Sequence, residues 1–151
     1  MAIDGSVGSV RMATQPAFHV TLSSAQTNFA LDQQITVTFD SERFDQGGDF
    51  TGNAFTARVT GKYQFNCNLR LDSIDSAADY YENRLVTSNN TYDAAIFDPD
   101  GLDSDALYWD LCFSVLVDMD ANDTCVIVVD TDGDSSFEAR AGRWFSGALL
   151  C

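Results

Sequence analysis

Between Lys62 and Asp72 the chain alternates without a fault: Tyr63, Phe65, Cys67, Leu69 and Leu71 on one parity, Lys62, Gln64, Asn66, Asn68, Arg70 and Asp72 on the other. A period of two sends successive side chains to opposite faces, so this segment reads as a half-buried strand of an antiparallel sheet. The same rhythm returns at Phe18, Val20 and Leu22, at Ile35, Val37 and Phe39, at Phe55, Ala57 and Val59, and at Trp109, Leu111, Phe113, Val115 and Val117. Turn-forming clusters rich in Gly and Asp separate these runs, among them 45–49, 51–53, 98–101 and 130–134. Many strands divided by such turns predict an all-β, antiparallel fold, a β-sandwich or jelly roll. At 151 residues the chain is one domain's worth of polypeptide, long enough to bury a real core.

Two segments depart from simple alternation. Cys125–Val129 is continuously apolar, which suits a strand covered on both faces, either inside the sandwich or against another subunit. Ile74, Ala77, Ala78, Tyr81 and Leu85 recur at helical spacing behind Ser73, so a short helix competes there with a strand favoured by Tyr80-Tyr81 and Leu85-Val86-Thr87. Residues 1–15, small and polar with Gly5 and Gly8 near the start, read as a flexible N-terminal arm, and 16–151 as the jelly-roll domain.

Charge narrows the function. Against 23 Asp plus Glu stand 8 Lys plus Arg, a net charge of −15 that repels phosphate backbones and anionic lipid, so nucleic acid is not an expected partner. No apolar run approaches the roughly 20 residues that span a bilayer, and no insertion into membrane is expected. The first residues lack a basic and an apolar export region, which predicts synthesis without a signal peptide. Four cysteines, Cys67, Cys112, Cys125 and Cys151, contain no C-x-x-C pair and read as reduced thiols or, less simply, as a disulfide; the single His19 completes no zinc set.

In order along the chain, Pro16-Ala17-Phe18-His19-Val20, Ile35 to Asp40, the stretch Phe50-Thr51, Phe55-Thr56 and Val59-Thr60-Gly61-Lys62-Tyr63-Gln64-Phe65, then Ser114 to Val117, Asp123 to Val126 and Trp144 to Leu150 resemble the motifs of the C1q/TNF-like jelly-roll family. The resemblance covers Pro16 to Leu150 and implies a homotrimer, with Gly61, Tyr63, Phe145 and Leu150 in the protomer core beside Phe65 of the alternating strand. Phe145 and Leu150, five apart, would face opposite sides of a regular strand, and a bulge at Gly147 would reconcile them. Asn122-Asp123 stands where the family has a Gly-Asp turn, Ala148 where it has an aromatic, and no Gly-X-Y stalk precedes the domain. An acidic single module with a short arm is similar to versions of this family in bacteriophage virions, as are Arg84 to Tyr92 and Val117 to Thr124.

The resemblance therefore implies a non-enzymatic virion structural or adhesion protein: a trimeric capsid decoration, fibre or tail-tip module held to other virion proteins through Met1 to Gln15. The alternative is a calcium-dependent carbohydrate- or receptor-binding domain that meets a host surface glycan or receptor. Asp130, Asp132 and Asp134 lie at alternate positions of a Gly-containing turn and suit calcium, with Asp118 and Asp120 as helpers, or are simply solvated. No catalytic residue stands out, and His19 reads as a surface or interface histidine. Tyr80, Tyr81, Tyr92, Tyr108 and Trp109, with Val126 and Val128 of the apolar run, are candidates for a trimer or ligand surface.

Overall fold

The computed structural model describes residues 2–4, 9–12, 14–29, 32–132 and 136–150. Its strands are β1 (Ala2–Asp4), β2 (Ser9–Arg11), β3 (Ala17–Thr21), β4 (Ile35–Thr36), β5 (Ser41–Asp45), β6 (Phe50–Thr51), β7 (Ala54–Thr56), β8 (Gly61–Ile74), β9 (Tyr80–Thr87), β10 (Thr91–Phe97), β11 (Ala106–Met119), β12 (Thr124–Asp132), β13 (Glu138–Ala139) and β14 (Trp144–Leu149). The only helix among the described residues is one 3-10 turn at Pro99–Gly101, and none is long and apolar enough to cross a membrane.

One sheet runs β10-β9-β12-β7-β6 with β4 added to β12; the other runs β11-β8-β14-β3-β5 with β13 added to β8. All their pairings are antiparallel, and strands adjacent in a sheet are mostly distant in sequence, the mark of a jelly roll. β1 and β2 pair with each other in a separate two-stranded sheet, within the segment read as an arm. The longest ladder joins β8 to β11 from Gly61↔Met119 to Ile74↔Ala106, so the alternating strand of the sequence is central in its sheet.

The core lies between the two sheets. Phe18 stacks on Phe55 at 4.9 Å and on Phe50 at 5.2 Å and meets Phe145 edge-on at 5.0 Å, while Phe65 stacks on Phe145 at 5.7 Å and Tyr63 on Phe65 at 6.1 Å. Tyr63, Phe65 and Phe145 are fully buried, and the Tyr63 hydroxyl donates to the Val59 carbonyl at 2.7 Å, so its polar tip is satisfied inside an apolar cluster. Asn83 is a fully buried polar side chain: its Nδ2 donates to Leu111 O at 3.0 Å and so ties β9 to the opposite sheet.

Local chemistry sets the turns. Gly52 (φ 58°) and Asn53 (φ 69°) are both left-handed between paired Thr51 and Ala54, the two-residue geometry whose twist matches a hairpin. Asn122 stands at φ 78°, so asparagine supplies a left-handed position that ordinarily favours glycine. Asp123 then closes the turn by accepting from the Asp120 N–H at 2.8 Å and from the Ser88 hydroxyl at 2.8 Å.

Several expectations need correction. The segment with helical spacing is a turn at 75–79 followed by β9, because Tyr81, Asn83, Leu85 and Thr87 alternate into the core as a strand. Leu150 is 56% exposed beyond the end of β14, not in the protomer core. Gly147 makes no bulge: β14 keeps regular register with β8 and β3 across it. Glycine is needed there because a Cβ would lie 2.5 Å from Phe65 Cδ1 and 2.8 Å from Phe18 Cε1. Asp130 and Asp132 belong to β12 rather than to a turn, and Asp134 lies outside the described residues.

Candidate association face and acidic clusters

Strand parity decides what the outer side of the β11-β8-β14-β3-β5 sheet presents. From β8 come Gln64, Asn66 and Asn68; from β11, Cys112, Ser114 and Leu116; from β14, Ser146 and Ala148; from β3, Ala17 and His19; and from β5, Phe44. No carboxylate stands among these central positions, although the chain carries −15. The polar groups are neutral and satisfied among themselves: Gln64 Nε2 donates to Ser114 Oγ at 2.9 Å, Ser114 Oγ to Asn66 Oδ1 at 2.8 Å, and Asn68 Nδ2 to Cys112 Sγ at 3.0 Å. Charge returns at the margins, in pairs as Lys62–Asp118 at 2.6 Å, Arg70–Asp72 at 2.5 Å and Arg143–Asp110 at 3.8 Å, and on the edge strand β5 as Glu42 and Arg43.

Large apolar groups also lie open on this face. Leu116 is 54% and Phe44 53% exposed, and His19 stacks on Trp144 at 5.5 Å with Phe44 at 6.1 Å. Ala17, Phe44, Ala148 and Leu150 help to line a shallow cleft of about 290 Å³ beside His19. Partial burial, then the charge of Arg43, hold the His19 imidazole below its ordinary range, so it is neutral above that range.

Of the aspartates expected to suit calcium, Asp130 and Asp132 fall on the other sheet. They share the outer face of β12, but Asp130 is buried, and Arg84 of β9 donates from its Nη1 to the Asp130 Oδ2 at 2.5 Å. The same guanidinium lies 2.5 Å from Glu82 and 3.1 Å from Asp93. Burial works against the Arg84 charge, yet the Glu82 hydrogen bond and the charges of Glu82, Asp130 and Asp93 outweigh it and raise its pKa. Asp32, Gln34, Tyr80 and Asp132 line an open cleft beside this network. Among the described residues no group of three His, Cys, Asp or Glu side chains is placed to hold a metal ion. Asp118 and Asp120 lie away from it, Asp118 paired with Lys62 and Asp120 accepting from Thr60 Oγ1 at 3.3 Å.

The aromatic and apolar candidates separate in the same way. Tyr81 and Val128 are buried in the protomer and offer no surface; Tyr80, Tyr92 and Val126 are half-buried. Tyr108 and Trp109 are exposed, Tyr108 under the Arg70 guanidinium at 3.9 Å and Trp109 stacked on Phe97 at 3.9 Å. Sequence reasoning missed Phe44, Leu116 and Trp144. The signal for Leu116 was present, since a leucine on the polar parity of an otherwise alternating strand is an exposed leucine. Cys67, Cys112 and Cys125 are free thiols; burial pushes the Cys67 thiol up to about 12, and Cys112 alone of the three is exposed.

No protein-family model matches the sequence, and no curated protein matches it in sequence. The fold does have solved counterparts. The globular domain of zebrafish complement 1qA protein aligns with a TM-score of 0.64 at 18% identity, covering 90% of this chain and 98% of that one. Murine APRIL aligns with a TM-score of 0.62 at 9% identity, covering 90% of this chain and 99% of that one. Across nine-tenths of its length, then, this chain has the two-sheet jelly roll of C1q and TNF-family domains.

Proposed function

We propose that this protein is a non-enzymatic structural or adhesion module that works as a homotrimer. The observation that carries the reading is the neutral, partly apolar outer face of the β11-β8-β14-β3-β5 sheet. Protomers of −15 repel one another, so copies can approach closely only through a surface from which carboxylates are excluded. That face meets the condition, and its open Leu116, Phe44 and Leu150 give apolar area to bury. The threefold state is what the C1q/TNF-like resemblance implies.

The second part of the proposal is display on a bacteriophage particle, as a capsid decoration, fibre or tail-tip component; it rests on the sequence resemblance. The way the chain enters the domain supports attachment through Met1 to Gln15. Gln15 Nε2 donates to Leu149 O at 2.6 Å, Leu149 N–H donates to Pro16 O at 3.0 Å, and Gln46 Nε2 donates to Met12 O at 2.8 Å. The start of the domain and its last strand are thus tied together at one end. A tether there leaves the loops 75–79 and 98–105, at the other end of the β8–β11 ladder, facing outward.

Light scattering at micromolar concentration tests the assembly. A mass about three times the 16.5 kDa of the chain is expected, and Leu116→Asp, which places a carboxylate in the neutral face, should return it to 16.5 kDa. A wild-type mass of 16.5 kDa would overturn the reading. Immuno-electron microscopy of particles tests the location, and absence from purified virions would remove that part alone.

A further inference from the structure

The end of the sandwich opposite the tether carries a cleft that the association face does not use. Its volume is about 240 Å³, and its lining joins Ile74, Ala106 and Leu107 to the carboxylates of Asp75 and Asp105 and the hydroxyls of Ser73 and Ser136. Leu107 is 84% exposed, the most open of the large hydrophobic side chains among the described residues. On the same parity of β11 as Leu107 stands Trp109, 40% exposed and stacked on Phe97 of β10. Exposed leucine and tryptophan together on the surface of so acidic a chain are unfavourable in water unless something covers them.

Among the described residues the cleft is lined by two aspartates and by no Lys or Arg, and Arg70, which lies over the neighbouring Tyr108, is tied to Asp72. Between Arg84 and Arg140 the sequence holds no Lys or Arg, while Asp98, Asp100, Asp103 and Asp105 lie in the loop that leads into β11. Neither Asp75 nor Asp105 has an ion-pair partner among the described residues. Both are held in place by hydrogen bonds: Asp105 Oδ1 accepts from the Ser76 N–H at 3.0 Å and the Ser76 hydroxyl at 2.8 Å, and Asp75 Oδ1 accepts from the Ala77 N–H at 2.9 Å. The Ser76 hydrogen bonds hold the Asp105 carboxyl below the usual range, so the negative charge persists in mildly acid solution.

We infer that this apical cleft docks a basic, amphipathic segment of a partner protein, taking a lysine or arginine side chain with its aliphatic stem on Ile74, Ala106 and Leu107 and its charged head between Asp75 and Asp105. A long basic side chain combines the two properties that the cleft offers separately, an apolar length and a cationic end. Neighbouring apolar side chains of the same segment would cover Trp109 and Phe97. A bare polyamine could meet the carboxylates but leaves that apolar surface wet. An acidic or phosphorylated partner and anionic lipid are repelled. The inference concerns a different surface from the one proposed for trimer formation and stands or falls separately from it.

The experiment is a titration of the intact protein, followed by NMR of its backbone amides, with a short peptide in which lysine and leucine alternate among glycine and serine. Saturable shifts confined to residues 73–77 and 96–109 are expected, together with none from the twin peptide carrying glutamate for lysine. Leu107→Ser and Asp75→Asn should each weaken binding by about three- to fivefold, the upper part of what one lost contact in an exposed site is worth, whereas Asp118→Asn at the other end should change it by less than about twofold. Spermine should compete only weakly. Shifts spread over carboxylates of the whole surface, equal loss from Asp118→Asn, or spermine matching the peptide would each overturn the inference in favour of general attraction between polycation and polyanion. No saturable shift at millimolar peptide would overturn it outright. The wild-type shift map stands even if a variant fails to fold.

Discussion

Replacing Gly147 by alanine adds one methyl group at the most crowded point of the core. The new carbon would sit 2.5 Å and 2.6 Å from two atoms of the Phe65 ring and 2.8 Å from Phe18, against an ordinary contact of at least about 3.4 Å. Phe65 cannot swing away freely, because it packs on Phe145 at 5.7 Å, Phe55 at 5.6 Å and Tyr63 at 6.1 Å and is fully buried. Overpacking of this kind costs about 1–3 kcal/mol, and so close a contact belongs near the upper end. Alanine also restricts the unfolded chain, which offsets about 0.4–1 kcal/mol. A net loss of about 2 kcal/mol lowers Tm by about 4–8 °C in a domain of this size. Calorimetry or circular dichroism at one fixed protein concentration reads the change, since an oligomer's Tm depends on concentration. Phe65→Ala removes both ring atoms in conflict, so adding Gly147→Ala to that variant should cost at least about 0.5 kcal/mol less than adding it to the wild type. An unchanged or raised Tm for the single variant would refute the close-approach explanation of this glycine.

Other expectations follow from the same geometry. Arg84→Ala leaves Glu82 and Asp130 buried without their cation and should cost about 3–5 kcal/mol, read as a fall in the urea midpoint; a loss below about 1 kcal/mol would show that water reaches these carboxylates. Tyr63→Ala should cost about 3–5 kcal/mol by loss of a buried ring, and Gln64→Ala, its outward neighbour, about 0.5–1.5 through its hydrogen bonds to β11, so equal losses would put the strand parity in error. Iodoacetamide near neutral pH should modify Cys112 while sparing Cys67 and Cys125 until denaturant is added, and protection of Cys112 should grow with protein concentration where the neutral face closes on another copy. Because the folded state lowers the His19 pKa below 6.5, the unfolded chain binds that proton more readily. The contribution of neutral His19 is therefore full above pH 6.5 and lost as pH falls through the folded value, so wild type should lose more Tm than His19→Gln between pH 7.5 and 5, and parallel curves would disprove it.

The alternation of residues 62–72 determines a strand and its inward face by itself, because a period of two admits no other regular structure that buries one side. The inward residues Tyr63, Phe65 and Phe145 and the turn at Asn122 are likewise local matters of hydrophobicity and backbone preference. Position in the sheet is not local. Leu150 and Phe145 read alike as apolar residues of one closing segment, yet one meets the aromatic cluster and the other extends past the last paired residue. Gly147 looks in sequence like a bulge and proves to be a space for Phe65, which is a fact about β8 and not about β14. The three aspartates of 130–134 look like one acidic turn, but β12 continues through Asp132, and pairing with β9 brings Arg84, nearly fifty residues away, onto Asp130. The neutral face is assembled from five strands that contribute one to three side chains each, so no single segment displays it. Which residues share a surface depends on strand order and register, long-range properties that only the folded chain defines.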